Sequence, residues 1–300
     1  MPAAIGRLSL QRLCHNRQES KLMVQKQSLM SSTSPVALVV TADDGGVGKT
    51  HFGVQFANAF HLYGKPLDLY QIDTKGKLAA KSGQEVTSLA VPERQSRAEE
   101  LVAADVIAPW YRAVTAMPET GRSSLLEVGG AMAGMFHAAI TDLDLTEDID
   151  ALQLNVVAFV LCKAGEDSAA QLLRELGRLE RNMPNARPVI VANEFVGNPV
   201  ASAQYLDSGL RKAFSAALKK HPVIRMPKMR ARSMAIYERM HVLPSTIVGW
   251  HLDNYAEAIR RVGGQRDEAK LFVKDVAEWS GVILEEIERV LPTLAGGGDA

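Results

Sequence analysis

Residues 34–56 constrain this chain more than any other stretch. An apolar run at 36–40 leads into Asp44-Gly45-Gly46-Val47-Gly48-Lys49-Thr50, and the pattern that follows puts Phe52, Phe56, Phe60 and Tyr63 on one face of a helix. The order strand, glycine turn, lysine, hydroxyl, helix has a physical meaning. The glycines let successive backbone N–H groups close on an anion, and the helix N-terminus adds positive potential at the same point. In such a loop Lys49 reaches the outer phosphates of a nucleotide and Thr50 holds Mg²⁺. Gly45, Gly46, Val47, Gly48, Lys49, Thr50 and His51 are therefore the expected nucleotide contacts.

The bulk numbers exclude several classes. With 300 residues, 47% of them apolar and 23% charged, the chain can bury a sizeable core and is not a disordered polymer. Its formal net charge is zero, so contact with nucleic acid or a membrane surface needs a local patch. The two cysteines, Cys14 and Cys162, match no metal or redox spacing. They fit a reducing compartment, so a cytoplasmic location is expected. No apolar run approaches the length of a membrane span. The seven histidines form no ligand spacing. Residues 1–34 carry five basic side chains, Arg7, Arg12, Arg17, Lys21 and Lys26, against Glu19. This stretch reads as a disordered arm, an over-long translation start with Met23 or Met30 as the true one, or a transit peptide.

Further along, short apolar runs alternate with helical patterns. Strands are expected at 66–72, 86–91, 123–128, 154–161, 188–192 and 222–226. Helices are expected at 97–115, 131–143, 166–182 and 204–219, with Pro109 kinking or splitting the first of them. Residues 229–292 read as helix only. Continuously apolar strands joined by helices imply a doubly wound, mostly parallel sheet with helices on both faces, an α/β fold with a helical C-terminal extension. The expected division is an arm at 1–34, a nucleotide-binding domain at 35–245, a helical extension at 246–292 and a flexible tail at 293–300. Ligands in such sheets bind outside the carboxyl ends of the strands. Asp43, Asp44, Asp73, Glu127 and Asn193 all fall at such ends.

The string Gly45-Gly46-Val47-Gly48-Lys49-Thr50 after a first strand resembles the ParA/MinD family of deviant Walker A ATPases of the P-loop class. The ordinary P-loop needs a glycine where this chain has Asp43, and the deviant form needs a signature lysine where it has Asp44. Residues 71–76 are similar to the family's second-strand motif, which implies that Asp73 orients the attacking water; Gln71 replaces the family's earlier acid. Residues 125–130 are similar to its Walker B segment, with Glu127 for the usual aspartate. That implies a Mg²⁺ contact by Glu127 through water. Residues 189–193 are similar to the strand that presents an asparagine to adenine, and this implies that role for Asn193. Met226-Pro227 resembles the closing strand and base-side loop. Taken together, the resemblance implies ATP and Mg²⁺ as cofactors, Lys49 and Asp73 as catalytic residues, and a homodimer with ATP between its subunits.

Asp44 cuts against the usual hydrolysis. Like charges about 4 Å apart cost about 1 kcal/mol in water and about 4 kcal/mol at an intermediate dielectric. Asp43 and Asp44 must therefore turn from the phosphates, be screened by Mg²⁺ or a basic group, or carry a proton. Between residues 208 and 237, Arg211, Lys212, Lys219, Lys220, Arg225, Lys228, Arg230 and Arg232 occur with no acid. Such a patch neutralises phosphates without reading bases, and the resemblance implies non-specific DNA contact there. The alternative is a solvated face balanced by acids elsewhere in the fold. Residues 266–292 are amphipathic and offer a packing face or a protein-partner site.

Three functions follow. The first is a weak, nucleotide-dependent dimerising ATPase in plasmid partition, stability or conjugal transfer. The second is a non-hydrolysing adaptor that recruits a protein partner. The third is an ATP-dependent amidase or carboxylate-activating enzyme on the same scaffold, for which no nucleophile can be named.

Overall fold

The computed structural model describes residues 34–72, 76–89 and 103–295. The strands are β1 (Val36–Thr41), β2 (Leu67–Ile72), β3 (Thr87–Ser88), β4 (Ser123–Val128), β5 (Asn155–Lys163), β6 (Arg187–Asn193) and β7 (Val223–Met226). They form one sheet in the order β3-β2-β4-β1-β5-β6-β7, and every pairing is parallel. The helices are α1 (Lys49–Leu62), α2 (Lys77–Ser82), α3 (Ala103–Thr115), α4 (Ala133–Asp142), α5 (Leu145–Ala151), α6 (Glu166–Asn182), α7 (Ser208–Lys220), α8 (Ala231–Tyr237), α9 (Pro244–Gly249), α10 (Ala256–Val262) and α11 (Arg266–Val290). Single-turn helical segments lie between some of them.

β1 shows why its sequence is apolar throughout. Successive side chains of a strand point to opposite faces. Val36, Leu38 and Val40 enter the core shared with α1 and α11, while Ala37 and Val39 enter the core shared with α3, α4 and α6. A strand buried on both faces has no solvent side on which to place polar residues. Leu38 sits between Leu125 of β4 and Val157 of β5, so β1 is central and its carboxyl end opens at the middle of the sheet.

α1 departs from a one-faced helix: every residue from Phe52 to Phe60 is buried. Phe52 and Phe56 meet Phe159 of β5 at ring-centroid distances of 5.5 and 4.7 Å. Each such aromatic pair adds about 0.5–1.5 kcal/mol beyond area burial. The opposite side of α1 is covered by the C-terminal helices. There Ser280 Oγ donates to Gln55 Oε1 at 2.8 Å, and Asn58 Oδ1 accepts from the Ser245 backbone N–H at 2.8 Å. α11 buries Val273, Val276, Trp279, Ile283, Ile287 and Val290 and leaves Val282 exposed. Most of its apolar side is thus used in the core beside the glycine loop.

Two local expectations are corrected. Pro109 does not split its helix, since α3 runs through it from Ala103 to Thr115. Val106, Ile107, Trp110 and Val114 are buried from this helix. Burial at about 1.5–3 kcal/mol per large side chain outweighs the roughly 3 kcal/mol that an internal proline costs. The third strand is shorter than expected, two residues at the sheet edge; residues 90 and 91 lie outside the described residues. Among the described residues no helix is long and apolar enough to cross a membrane.

Candidate functional site

The glycine loop leaves β1 at Thr41 and enters α1 at Lys49. Gly46 and Gly48 have φ of +69° and +96°, which L side chains rarely adopt. Gly48 is also constrained by packing, since a Cβ there would lie 2.5 Å from Asn193 Nδ2 at the end of β6. Across the loop, a Cβ on Gly130 would lie 3.0 Å from the Asp44 carbonyl oxygen. The glycines after β4 therefore let that strand end close against the loop.

Lys49 is buried and folds back over the loop. Its Nζ donates to the carbonyls of Asp44 at 2.7 Å and Ala42 at 3.3 Å. Thr50 Oγ1 donates to Glu127 Oε1 at 2.6 Å, the length of a charge-assisted bond. The loop hydroxyl and the β4 carboxylate are thus joined although they lie 77 residues apart in the chain. Hydroxyl and carboxylate oxygens are the donor set that Mg²⁺ accepts together with several waters, so these two residues fit that ion.

Asp43 and Asp44 are screened by bases of this same chain. Asp44 Oδ2 lies 2.9 Å from Lys163 Nζ, at the end of β5. Asp43 Oδ1 accepts from Arg178 at 3.1 Å, and Arg174 lies 3.6 Å from its other oxygen, both from α6. Arg178 links onward to Glu175, which is fully buried. Glu175 Oε1 accepts from Thr41 Oγ1 at 2.8 Å and meets His137 Nε2 at 3.1 Å. Burial pushes the Glu175 carboxyl up, but His137, Thr41 and Arg178 together hold it below the ordinary carboxylate range.

The loop forms one wall of a cleft of about 730 Å³. Gly45, Gly46, Val47, Gly48, Lys49 and Thr50 line it, as do Glu127, Gly129, Gly130 and Lys77. Neither the Asp43 nor the Asp44 residue lines it. Met226, Pro227, Met234, Phe195 and Trp279 supply its apolar lining, with Met226 Cε 3.6 Å from where a Cβ on Gly48 would lie. Trp279 Nε1 donates to the Pro227 carbonyl at 2.9 Å, fixing the indole there. His51 also lines the cleft, with its Nε2 2.8 Å from Glu238 Oε1. Lys81 of α2 pairs with the other Glu238 oxygen. His51, followed by Lys81, holds the Glu238 carboxyl down to about 2, against the opposing effect of burial.

Asn193 lines the cleft, and both ends of its amide are engaged. Nδ2 donates to the Val47 carbonyl at 2.8 Å and Oδ1 accepts from the Phe195 N–H at 3.0 Å. Gln71 is buried, and its Oε1 accepts from the N–H groups of Leu78 at 3.0 Å and Ala79 at 3.4 Å, satisfying the start of α2. The Asp73 position lies outside the described residues.

The basic stretch does not remain a bare patch. Lys220 pairs with Glu180, Arg225 with Glu194, Arg230 with Asp275 and Arg232 with Glu268. Lys228 lies over the Phe195 ring, and Arg211 donates to the Gln204 carbonyl at 3.3 Å. Lys212 and Lys219 have no ionic partner among the described residues.

Residue-by-residue reading missed Lys163, Arg178, Glu175, Lys81, Glu238 and the cleft-facing side of Trp279. For Lys81 there was a signal: Lys77 and Lys81 lie one helical turn apart, just after the turn that follows β2.

A parallel sheet of this strand order, with helices on both faces and a glycine loop between β1 and α1, is the fold of the P-loop nucleoside triphosphatases. No family model and no curated protein matches the chain. Among solved structures it is similar to the MinC:MinD cell division protein complex of Aquifex aeolicus, at 15% identity and TM-score 0.45 over 88% of this chain and 97% of that one. The MinD cell division protein of Aquifex aeolicus is similar at 15% identity and TM-score 0.43, over 88% and 98%. Chloroplast FtsY of Physcomitrella patens is similar at 14% identity and TM-score 0.39, over 81% and 65%.

Proposed function

We propose that this chain binds ATP with Mg²⁺ in the cleft at the carboxyl ends of its strands, as a ParA/MinD-type protein. The supporting observation is the junction of Thr50 and Glu127 at 2.6 Å beside a buried Lys49 and two left-handed glycines. Gly45, Gly46, Val47 and Gly48 would present backbone N–H groups to the phosphates, and Lys49 would leave its loop carbonyls for the outer phosphate oxygens. Thr50 and Glu127 would hold Mg²⁺, which neutralises phosphate charge when bound. The apolar wall of Met226, Pro227 and Phe195 would take the base, with Asn193 at its edge. The finer reading is a cytoplasmic homodimer acting in plasmid partition, stability or conjugal transfer, with Asp73 orienting water for slow hydrolysis. The test is ATP affinity of the native protein and of Lys49→Ala. Loss of about tenfold or more in the variant is expected, since a charged hydrogen bond contributes about 1.5–3 kcal/mol. Equal affinities would remove the assignment.

A second reading, a nucleotide-binding adaptor without hydrolysis, is favoured by the Asp44–Lys163 pair. An acid stands where the resemblance expects a lysine, and it is neutralised away from the cleft. Under this reading native turnover is near zero and Asp44→Lys raises it. Under the first reading native turnover is already measurable. A protein partner would then meet the C-terminal helices, where Val282 and Leu271 are exposed. DNA contact narrows to Arg211, Lys212, Lys219 and Lys228, whose charges are not paired with acids among the described residues. Its test is the salt dependence of duplex binding by the Lys212→Ala/Lys219→Ala variant, whose slope should fall by about 2.

A further inference from the structure

Three lysines line the cleft, Lys49, Lys77 and Lys81. Lys49 donates to carbonyls of its own loop, and Lys81 pairs with Glu238. Lys77 is exposed, and among the described residues its ammonium has no hydrogen bond or ion pair. The sheet order fixes the side of the cleft on which it stands. β4 and then β2 lie on one side of β1, and β5, β6 and β7 lie on the other. The loop follows the same division. A Cβ on Gly130, after β4, would lie 3.0 Å from the Asp44 carbonyl oxygen, whereas a Cβ on Gly48 would meet Asn193 of β6 and Met226 of β7. Lys77 follows β2 and so belongs to the β4 side. There the Gly129 N–H donates to the Ile72 carbonyl at 2.8 Å, and the Leu78 N–H donates to Gln71 Oε1 at 3.0 Å, tying the start of α2 beside the end of β4. Leu78 Cδ1 and Glu127 Oε2 converge on Gly53 of α1, at 3.3 and 3.7 Å from where a Cβ would lie. Lys77, next to Leu78, therefore stands on the side of the Thr50–Glu127 junction, away from Asn193 and Met226.

A nucleotide with its base on the β6–β7 side and Mg²⁺ at Thr50 and Glu127 would run its phosphate chain toward β4 and β2, outermost phosphate last. That phosphate is what separates a nucleoside triphosphate from a diphosphate. Its oxygens are acceptors with negative charge, and a lysine ammonium offers three donors, a full positive charge and a long stem to reach them. Position 44 supplies no such charge, because its acid is paired with Lys163 and does not line the cleft. We infer that Lys77 is the cation that reads the outermost phosphate, so that this chain distinguishes triphosphates from diphosphates with a lysine from the β2 side in place of one in the loop. This inference rests on the nucleotide reading given above.

The competing account is a solvated lysine at the start of a short helix. The experiment measures calorimetric affinities of ATP and ADP, each with Mg²⁺, for the native protein, Lys77→Met and Lys77→Arg, with a thermal melt of each protein free of nucleotide. The native protein is expected to prefer ATP. In Lys77→Met the affinity for ATP should fall by about tenfold or more, the size of one well-formed hydrogen bond to a charged group, while that for ADP changes by less than about threefold. Lys77→Arg keeps a cation that donates to phosphate and should retain most of the ATP affinity. The three melts should coincide, since Lys77 ties no elements together. Unchanged ATP affinity in Lys77→Met, or equal losses for ATP and ADP, would overturn the inference and leave the nucleotide reading intact. So would a loss in Lys77→Met that is just as large in Lys77→Arg, because the charge would then not be what binds. If the native protein binds neither nucleotide, the nucleotide reading itself fails, and this inference fails with it.

Discussion

The Asp44 carboxylate lies 2.9 Å from the Lys163 ammonium, across the gap between the glycine loop and the end of β5. An acid in a phosphate loop would repel its ligand, but this one is turned to the β5–α6 side and matched by a base of its own chain. The pair is partly exposed, with 21% of the Asp44 side chain accessible, so its contribution is modest, at most about 1 kcal/mol. Asp44→Lys replaces attraction by repulsion. It should lower stability by about 1–2 kcal/mol in urea unfolding. The exchange Asp44→Lys with Lys163→Asp should recover most of that loss. If the double variant is as unstable as the sum of its singles, the two side chains do not interact.

The Thr50–Glu127 junction gives a prediction about metal dependence. Thr50→Val keeps the shape of the side chain and removes the hydroxyl that Glu127 accepts from. Nucleotide affinity in excess EDTA should change little, whereas the gain on adding Mg²⁺ should shrink by about tenfold. Glu127→Gln should show the same pattern. Calorimetric titration with and without the metal reads it directly. An unchanged Mg²⁺ gain in both variants would place the metal elsewhere.

Gly48 is held by two constraints that a double-mutant cycle can separate. Alanine at this position meets a φ of +96° and a contact of 2.5 Å with Asn193 Nδ2. The backbone strain alone is about 1–3 kcal/mol. The clash adds to it, because Asn193 is pinned by Val47 and Phe195. Gly48→Ala should therefore cost more in the native background than in Asn193→Ala, where the strain remains and the clash is gone. Additive losses in chemical denaturation would show that Asn193 does not abut the loop.

Much of the fold was legible because its signals are local. An apolar run such as residues 36–40 reads as a strand buried on both faces, and the glycines and Lys49-Thr50 that follow name the loop. Glu127 and Asn193 stood out as polar residues ending apolar strands, and both line the cleft. What stayed hidden depends on residues far apart in the chain. A window from 208 to 237 shows eight bases and no acid, yet Glu180, Glu194, Asp275 and Glu268, which pair with four of them, lie outside it. Glu238 looks like any exposed helix-end carboxylate until α8 brings it to His51. Pro109 misled because the penalty for a helix proline is local, while the burial of Trp110 and Ile107 that outweighs it is tertiary.

The buried carboxylate behind the loop gives a dependence on pH. Glu175 faces Thr41, His137 and Arg178, and these partners hold its carboxyl below the ordinary range despite burial. A carboxyl lower in the folded than in the unfolded chain contributes stability that is fully present above the unfolded value. That contribution is lost as pH falls through the folded value. Glu175→Gln keeps the size and an acceptor for Thr41 but removes the charge opposite Arg178. At pH 7 it should destabilise the protein by about 3–5 kcal/mol, the cost of breaking a buried ion pair. The gap between native and variant should begin to close below about pH 4, the ordinary carboxylate value, and narrow further as the folded group takes up its proton. Urea unfolding at pH 7, 5 and 3 measures it. A gap of constant size over that range would mean that the charge of Glu175 is not what stabilises the junction of β1, α4 and α6.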